Sequence, residues 1–156
     1  MKVIPYDSFT IDTTNPPEII VTNISKNIGS KNFGLFEAGN EYKGSITDNR
    51  FTIQKNISYQ NSFLPIIQGE ITLTDKGSSV NITMRPHALV LCFMSIWFFC
   101  VGLGCLLVLS NLDNFSLPYL IPFGMLFFGI TLILLGFWPE AKKQKPKLIE
   151  LIKENK

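Results

Sequence analysis

The chain has 156 residues, 46% of them hydrophobic, and a formal net charge of +2. Residues 1–87 hold eight Lys/Arg against eight Asp/Glu, residues 88–139 hold Asp113 alone, and residues 140–156 hold six Lys against three Glu. One modest domain plus something smaller fits this length. The positive excess sits in the tail, so no basic face points to nucleic acid as a partner.

Met1 to Asp12 lacks the apolar core of a signal peptide, so none is expected. Segments 9–13 and 18–24 are expected as strands, and "NIGSKNFGLFEAGN" as a glycine-rich connection or an edge strand with a loop. From there to the apolar half the dominant period is two. Phe51, Ile53, Ile57 and Tyr59 share one parity, as do Ile67, Gly69, Ile71 and Leu73, and then Val80, Ile82 and Met84. Turn residues separate the runs: "TDNR" before Phe51, Pro65, and "DKGS" before Val80. The expectation is an antiparallel meander over 43–47, 50–60, 66–74 and 78–85. With the two earlier segments it makes a mainly β soluble domain over residues 1–86, a small barrel or a strongly curved sheet.

No charged residue occurs from Ala88 to Leu112, nor from Asn114 to Pro139. Each run exceeds the roughly 20 residues that cross about 30 Å of hydrocarbon as a helix. Spans at 88–110 and 117–138, joined by the short "NLDNFS", predict a transmembrane helical hairpin over 87–139. Pro118 and Pro122 fall in the first turns of the second span, where a missing N–H costs least. The hairpin loop has no Lys or Arg. Arg85 precedes the first span and Lys142, Lys143, Lys145 and Lys147 follow the second. By the positive-inside rule both termini are expected on the cytoplasmic side of a multi-pass protein of the inner membrane. The Asn-x-Ser/Thr triplets at Asn23, Asn56 and Asn81 then read as by-products of composition rather than glycosylation sites. Residues 140–156 form a basic tail, in which Leu148, Ile149, Leu151 and Ile152 have helical spacing after Pro146. That short amphipathic helix is expected to dock on the β domain, the alternative being the membrane surface.

Chemistry is sparse. A Ser62 nucleophile would need a positioned base, and the one histidine, His87, lies in "RPH" at the membrane boundary, where it reads as an interfacial anchor. "IGSKNFG" lacks the spacing of a phosphate loop, and no His or Cys pair has metal spacing. Cys92, Cys100 and Cys105 lie in the apolar half and read as small hydrophobes. No catalytic residue, metal ligand or cofactor is assigned, and the chain is expected not to be an enzyme. Two sets of residues remain. Tyr59, Gln60, Asn61, Ser62 and Phe63, in "YQNSFLP", read first as a corner between strands, with Phe63 buried and Pro65 outside the ladder. The alternative is a surface for a protein partner or small-molecule ligand. In the hairpin, equal depth pairs residues whose numbers sum to about 226: Ser95 with Thr131, Trp97 with Gly129, and Gly102 with Gly124. Small residues facing one another let helices approach closely in lipid, and the same residues would serve a homo-oligomer through the spans.

The pattern "GSITDNRFTIQKNISYQNSFLPIIQGEI…GSSVNITMRPH", followed by "FMSIWFF", resembles uncharacterised bacterial membrane proteins with two spans and an N-terminal β domain. The likeness covers about residues 44–100, and its most specific part is "YQNSFLPIIQG". It implies no activity, only that the meander and the first span form one unit. The leading expectation is a non-enzymatic binding or regulatory protein anchored in the lipid bilayer. The alternative is a ligand-sensing effector whose hairpins oligomerise and perturb the membrane.

Overall fold

The computed structural model describes residues 3–29, 41–110 and 116–154. In chain order these form β1 (Asp7–Thr13), α1 (Pro17–Lys26), β2 (Ile28–Gly29), β3 (Tyr42–Thr47), β4 (Arg50–Lys55), β5 (Ile66–Thr74) and β6 (Gly77–Arg85). Then follow α2 (Ala88–Leu109), a 3-10 turn (Leu117–Leu120), α3 (Ile121–Gly136) and α4 (Trp138–Lys153). One sheet runs β1-β6-β5-β4-β3-β2. Five strands are antiparallel neighbours, and the two-residue β2 joins the far edge in parallel. β1 and β2 lie at opposite edges, so of the two expected forms, barrel or curved sheet, the sheet is the open one.

Alternation decides what each face of that sheet meets. On one face the register aligns Ile46, Phe51, Gly69, Ile82 and Phe9 in a row across five strands. Ile53, Ile67 and Met84 form the next row, and Ile71, Val80 and Ile11 another. Gly69 is required in its row: a Cβ there would lie 2.0 Å from the Phe51 ring, which occupies that space. The opposite face is polar. Thr10 Oγ1 donates to Asn81 Oδ1 (2.8 Å), Asn81 pairs across to Glu70, and Glu70 accepts from Arg50 (2.7 Å). Both hairpin turns use two residues. Asp48 takes φ 52°, a conformation Asp tolerates. Gly77 takes φ 133°, where a Cβ would also strike the Thr13 carbonyl at 2.3 Å.

Helices α1 and α4 cover the apolar face, and Ile20, Ile24, Ala141, Leu148 and Ile152 join the sheet residues in one buried core. The domain is therefore a two-layer α/β sandwich rather than a sheet closing on itself. Segment 18–24, expected as a strand, is part of α1. Its buried positions Pro17, Ile20, Asn23 and Ile24 follow helical spacing, and a proline stands in the first turn. Docking on α4 outweighs the β-branched composition that suggested a strand. α4 begins at Trp138, eight residues before the Pro146 expected to start it, and Pro146 lies inside the helix. The proline is tolerated on an exposed side, where water can serve the carbonyl that loses its donor. Two buried asparagines hold the end of α4. Asn15 Nδ2 donates to the carbonyls of Ile152 (3.1 Å) and Glu154 (3.2 Å), and Asn23 Nδ2 to those of Leu151 (3.4 Å) and Glu154 (2.8 Å). They satisfy carbonyls that a helix end leaves without partners.

α2 has 22 residues, and the helical run from Leu117 to Lys153 has 37; each is long and apolar enough to cross a membrane. The connection centred on Asp113, and most of the glycine-rich 27–40 stretch with Glu37, lie outside the described residues.

Candidate functional site

Three chain connections converge where the sheet meets the apolar helices. β6 ends at Arg85 and α2 begins at Ala88, with Pro86 and His87 between. His87 caps α2, its Nδ1 accepting from the Leu89 N–H at 3.2 Å. On the other side α3 passes into α4 through Phe137, which is fully buried in the domain core and ends the apolar helix. The third connection, residues 56–65, holds the candidate residues Tyr59 to Phe63.

β4 stops at Lys55 instead of continuing to residue 60, and residues 56–65 leave the sheet. The Asn61 side chain folds this segment, Oδ1 accepting from the Phe63 N–H at 2.9 Å, the local turn that Asx residues favour. Its Nδ2 donates to the Gly136 carbonyl at 2.9 Å. Phe63 lies against the same glycine, where a Cβ would come within 2.9 Å of it. Tyr59 Oη donates to Glu140 Oε1 at 2.6 Å. This bond to a carboxylate, with smaller contributions from burial and the Glu140 charge, pushes the Tyr59 phenol above its ordinary range. Leu64 and Pro65 are buried, and the strand resumes at Ile66, leaving Pro65 outside the ladder. Of the five candidate residues, Tyr59, Asn61 and Phe63 contact the α3–α4 passage, Tyr59 from an exposed position, and Gln60 and Ser62 are exposed. The corner joins two layers of the molecule, and Phe63 is half-buried rather than a core plug.

Some buried polar groups are unpartnered, among them groups on the first half of α4 and one on β3. Glu140 Oε2, both side-chain polar atoms of Gln144 and the Tyr42 hydroxyl have no hydrogen-bond partner in the structure. Burial, with the Glu41 charge second, pushes the Tyr42 phenol up to about 12. Such groups cost stability. The second half of α4 rests on Leu148 and Ile152, both fully buried. Among the described residues, no group of three or more His, Cys, Asp or Glu is placed to hold a metal ion.

In the hairpin the expected seam is partly displaced. A Cβ at Gly129 would meet Phe98 at 3.1 Å and the Trp97 indole at 3.2 Å, so these three lie together. At Gly102 and at Gly124 a Cβ would meet nothing within 4 Å. The Gly102–Gly124 contact is absent, and Gly104 takes that place, where a Cβ would meet Pro122 at 3.5 Å. Trp97 with Gly129 and Gly104 with Pro122 each sum to 226, and the buried positions of α2 are Met94, Val101, Cys105 and Val108. The Ser95 and Thr131 hydroxyls do not bridge the helices; each bonds the carbonyl four residues earlier in its own helix, Leu91 and Phe127.

Sequence reasoning missed Gly136 and Glu140 as targets of the corner, and Asn15 and Asn23 as caps. Asn23 donates to a carbonyl 128 residues away, a relation without a local signature. Comparison with protein-family models, curated proteins and solved structures gives no match. The resemblance carried by "YQNSFLPIIQG" therefore rests on those residues alone.

Proposed function

We propose that the protein is a non-enzymatic binding or regulatory protein of the inner membrane, its hairpin inserted and its α/β domain held at the cytoplasmic surface. The observation that carries this reading is the fully buried Phe137: one residue ends the second apolar helix and belongs to the domain core. A domain merely tethered to an anchor would have a linker there. Here the β6–α2 link, the α3–α4 passage and the 56–65 corner hold domain and hairpin as one unit. The polar sheet face, not covered by α1 or α4, is left for a protein partner or small ligand.

The same connection favours a second reading, a ligand-sensing effector, because displacement of the sheet would reach both long helices together. Two measurements separate these readings from each other and from error. The chain should stay with membranes through alkaline extraction, and a Lys76→Cys variant should react with an impermeant thiol reagent only in inverted vesicles. Labelling of intact cells would overturn the orientation. Cross-linking from the polar sheet face should then capture a discrete partner without loss of membrane potential. Depolarisation on overproduction would favour the effector instead.

A further inference from the structure

We propose that a crevice between the 62–63 corner and the two long helices holds one acyl chain of an anionic phospholipid, with Arg85, Lys142 and Lys143 meeting its headgroup. The proposal rests on the reading of the hairpin as membrane-inserted. Phe63, Leu89, Val90, Phe93, Met94 and Leu132 line the crevice, whose volume is about 320 Å³, and Ser62 is the polar residue at its rim. That volume is at the small end of ligand sites, roughly 300–1,000 Å³, and suits a chain segment rather than a whole lipid. The crevice spans the first two turns of α2, from Leu89 to Met94. Phe63, packed on Gly136, ties the corner to the end of α3.

Charge at this level selects the lipid. Arg85 precedes α2 by three residues and is exposed; Lys142 and Lys143 are exposed within two turns after Gly136. Leu132 lies in the last turns of α3, and Lys142 and Lys143 lie in the second turn of α4, just beyond Phe137. The carboxylates described at this end are engaged: Asp7 with Lys145 (3.5 Å), Glu41 with Lys147, and Glu140 with Tyr59. The exposed charges that flank the crevice-lining helices in sequence, Arg85 before α2 and Lys142 and Lys143 after α3, are positive, which complements a phosphate-bearing anionic headgroup.

The full chain would be purified in mild detergent, supplied with equal phosphatidylglycerol and phosphatidylcholine, and weighed with its retained lipid by native mass spectrometry. One phosphatidylglycerol should be retained in preference, and Arg85→Gln and Lys143→Gln should each lower that preference about five-fold. Val90→Phe, which fills the crevice from the α2 wall, should abolish retention of that lipid while Arg85, Lys142 and Lys143 are all still present. Equal retention of both lipids, or undiminished retention in Val90→Phe, would overturn the proposal and leave the membrane reading standing. Release of the chain by alkaline extraction would remove that reading and this proposal with it.

Discussion

Helix α4 packs on a sheet and helix α3 packs on α2, yet the two contacts are made differently although one helical run contains both. Under α4, Ala141, Leu148 and Ile152 are buried and the outward positions Lys142, Lys143 and Lys147 are charged. Along α3, Gly129 and Ile133 are the buried residues, while Phe127, Phe128 and Leu135 are exposed on other sides. Water pushes one apolar stripe onto the sheet, so polarity alone orients α4. An all-apolar helix has no such stripe, and close approach of small residues sets its rotation. Amphipathicity fixes the contact of α4, and the shapes of side chains fix that of the all-apolar α3.

The largest effect should come from removing volume under α4. Leu148→Ala should lower domain stability by about 2–5 kcal/mol, as buried leucine truncations do. Leu106→Ala, at an exposed position of α2, should leave it unchanged. Unfolding followed in one detergent for both variants checks this, and equal losses would erase the contrast between the two contacts.

The hairpin gives the reverse test, in which added volume does the damage. Gly129→Leu should force Trp97 and Phe98 aside and cost about 1–3 kcal/mol as overpacking. Gly102→Leu, with open space around it, should be tolerated. Thermal stability in lipid nanodiscs distinguishes them, and a more damaging Gly102 variant would restore the seam expected from sequence.

Tyr42 tests the domain's buried polar layer by pH. Its phenol is raised from 10.0 to about 12, so the folded state holds the proton more tightly than the unfolded chain. That contribution is complete below pH 10 and is lost as pH rises through about 12. Denaturation between these values should show a stability decline that Tyr42→Phe reduces, and an identical decline in the variant would argue against the assignment. The smallest effect belongs to the outer sheet face. Arg50 and Glu70 are paired but solvent-exposed, and Arg50→Ala should leave stability unchanged at physiological salt, where such pairs are screened.

Periodicity and turn chemistry determined a good part of this protein from sequence: strands expected at 43–47, 66–74 and 78–85 and found within a residue of those bounds, turns between them, and two helices apolar enough to span a membrane. These features depend on neighbours a few residues away, and alternation states which side of a strand is buried. Tertiary structure decided the rest. Residues 17–26 became a helix because α4 was there to pack on, and the 56–65 segment left the sheet because Asn61 and Tyr59 find Gly136 and Glu140. The rotation of α2 against α3 followed from how Trp97 and Phe98 fit Gly129 and Gly104 fits Pro122. Each of these outcomes depends on the shape and position of residues distant in sequence, and a local pattern carries no record of which distant partner will be met.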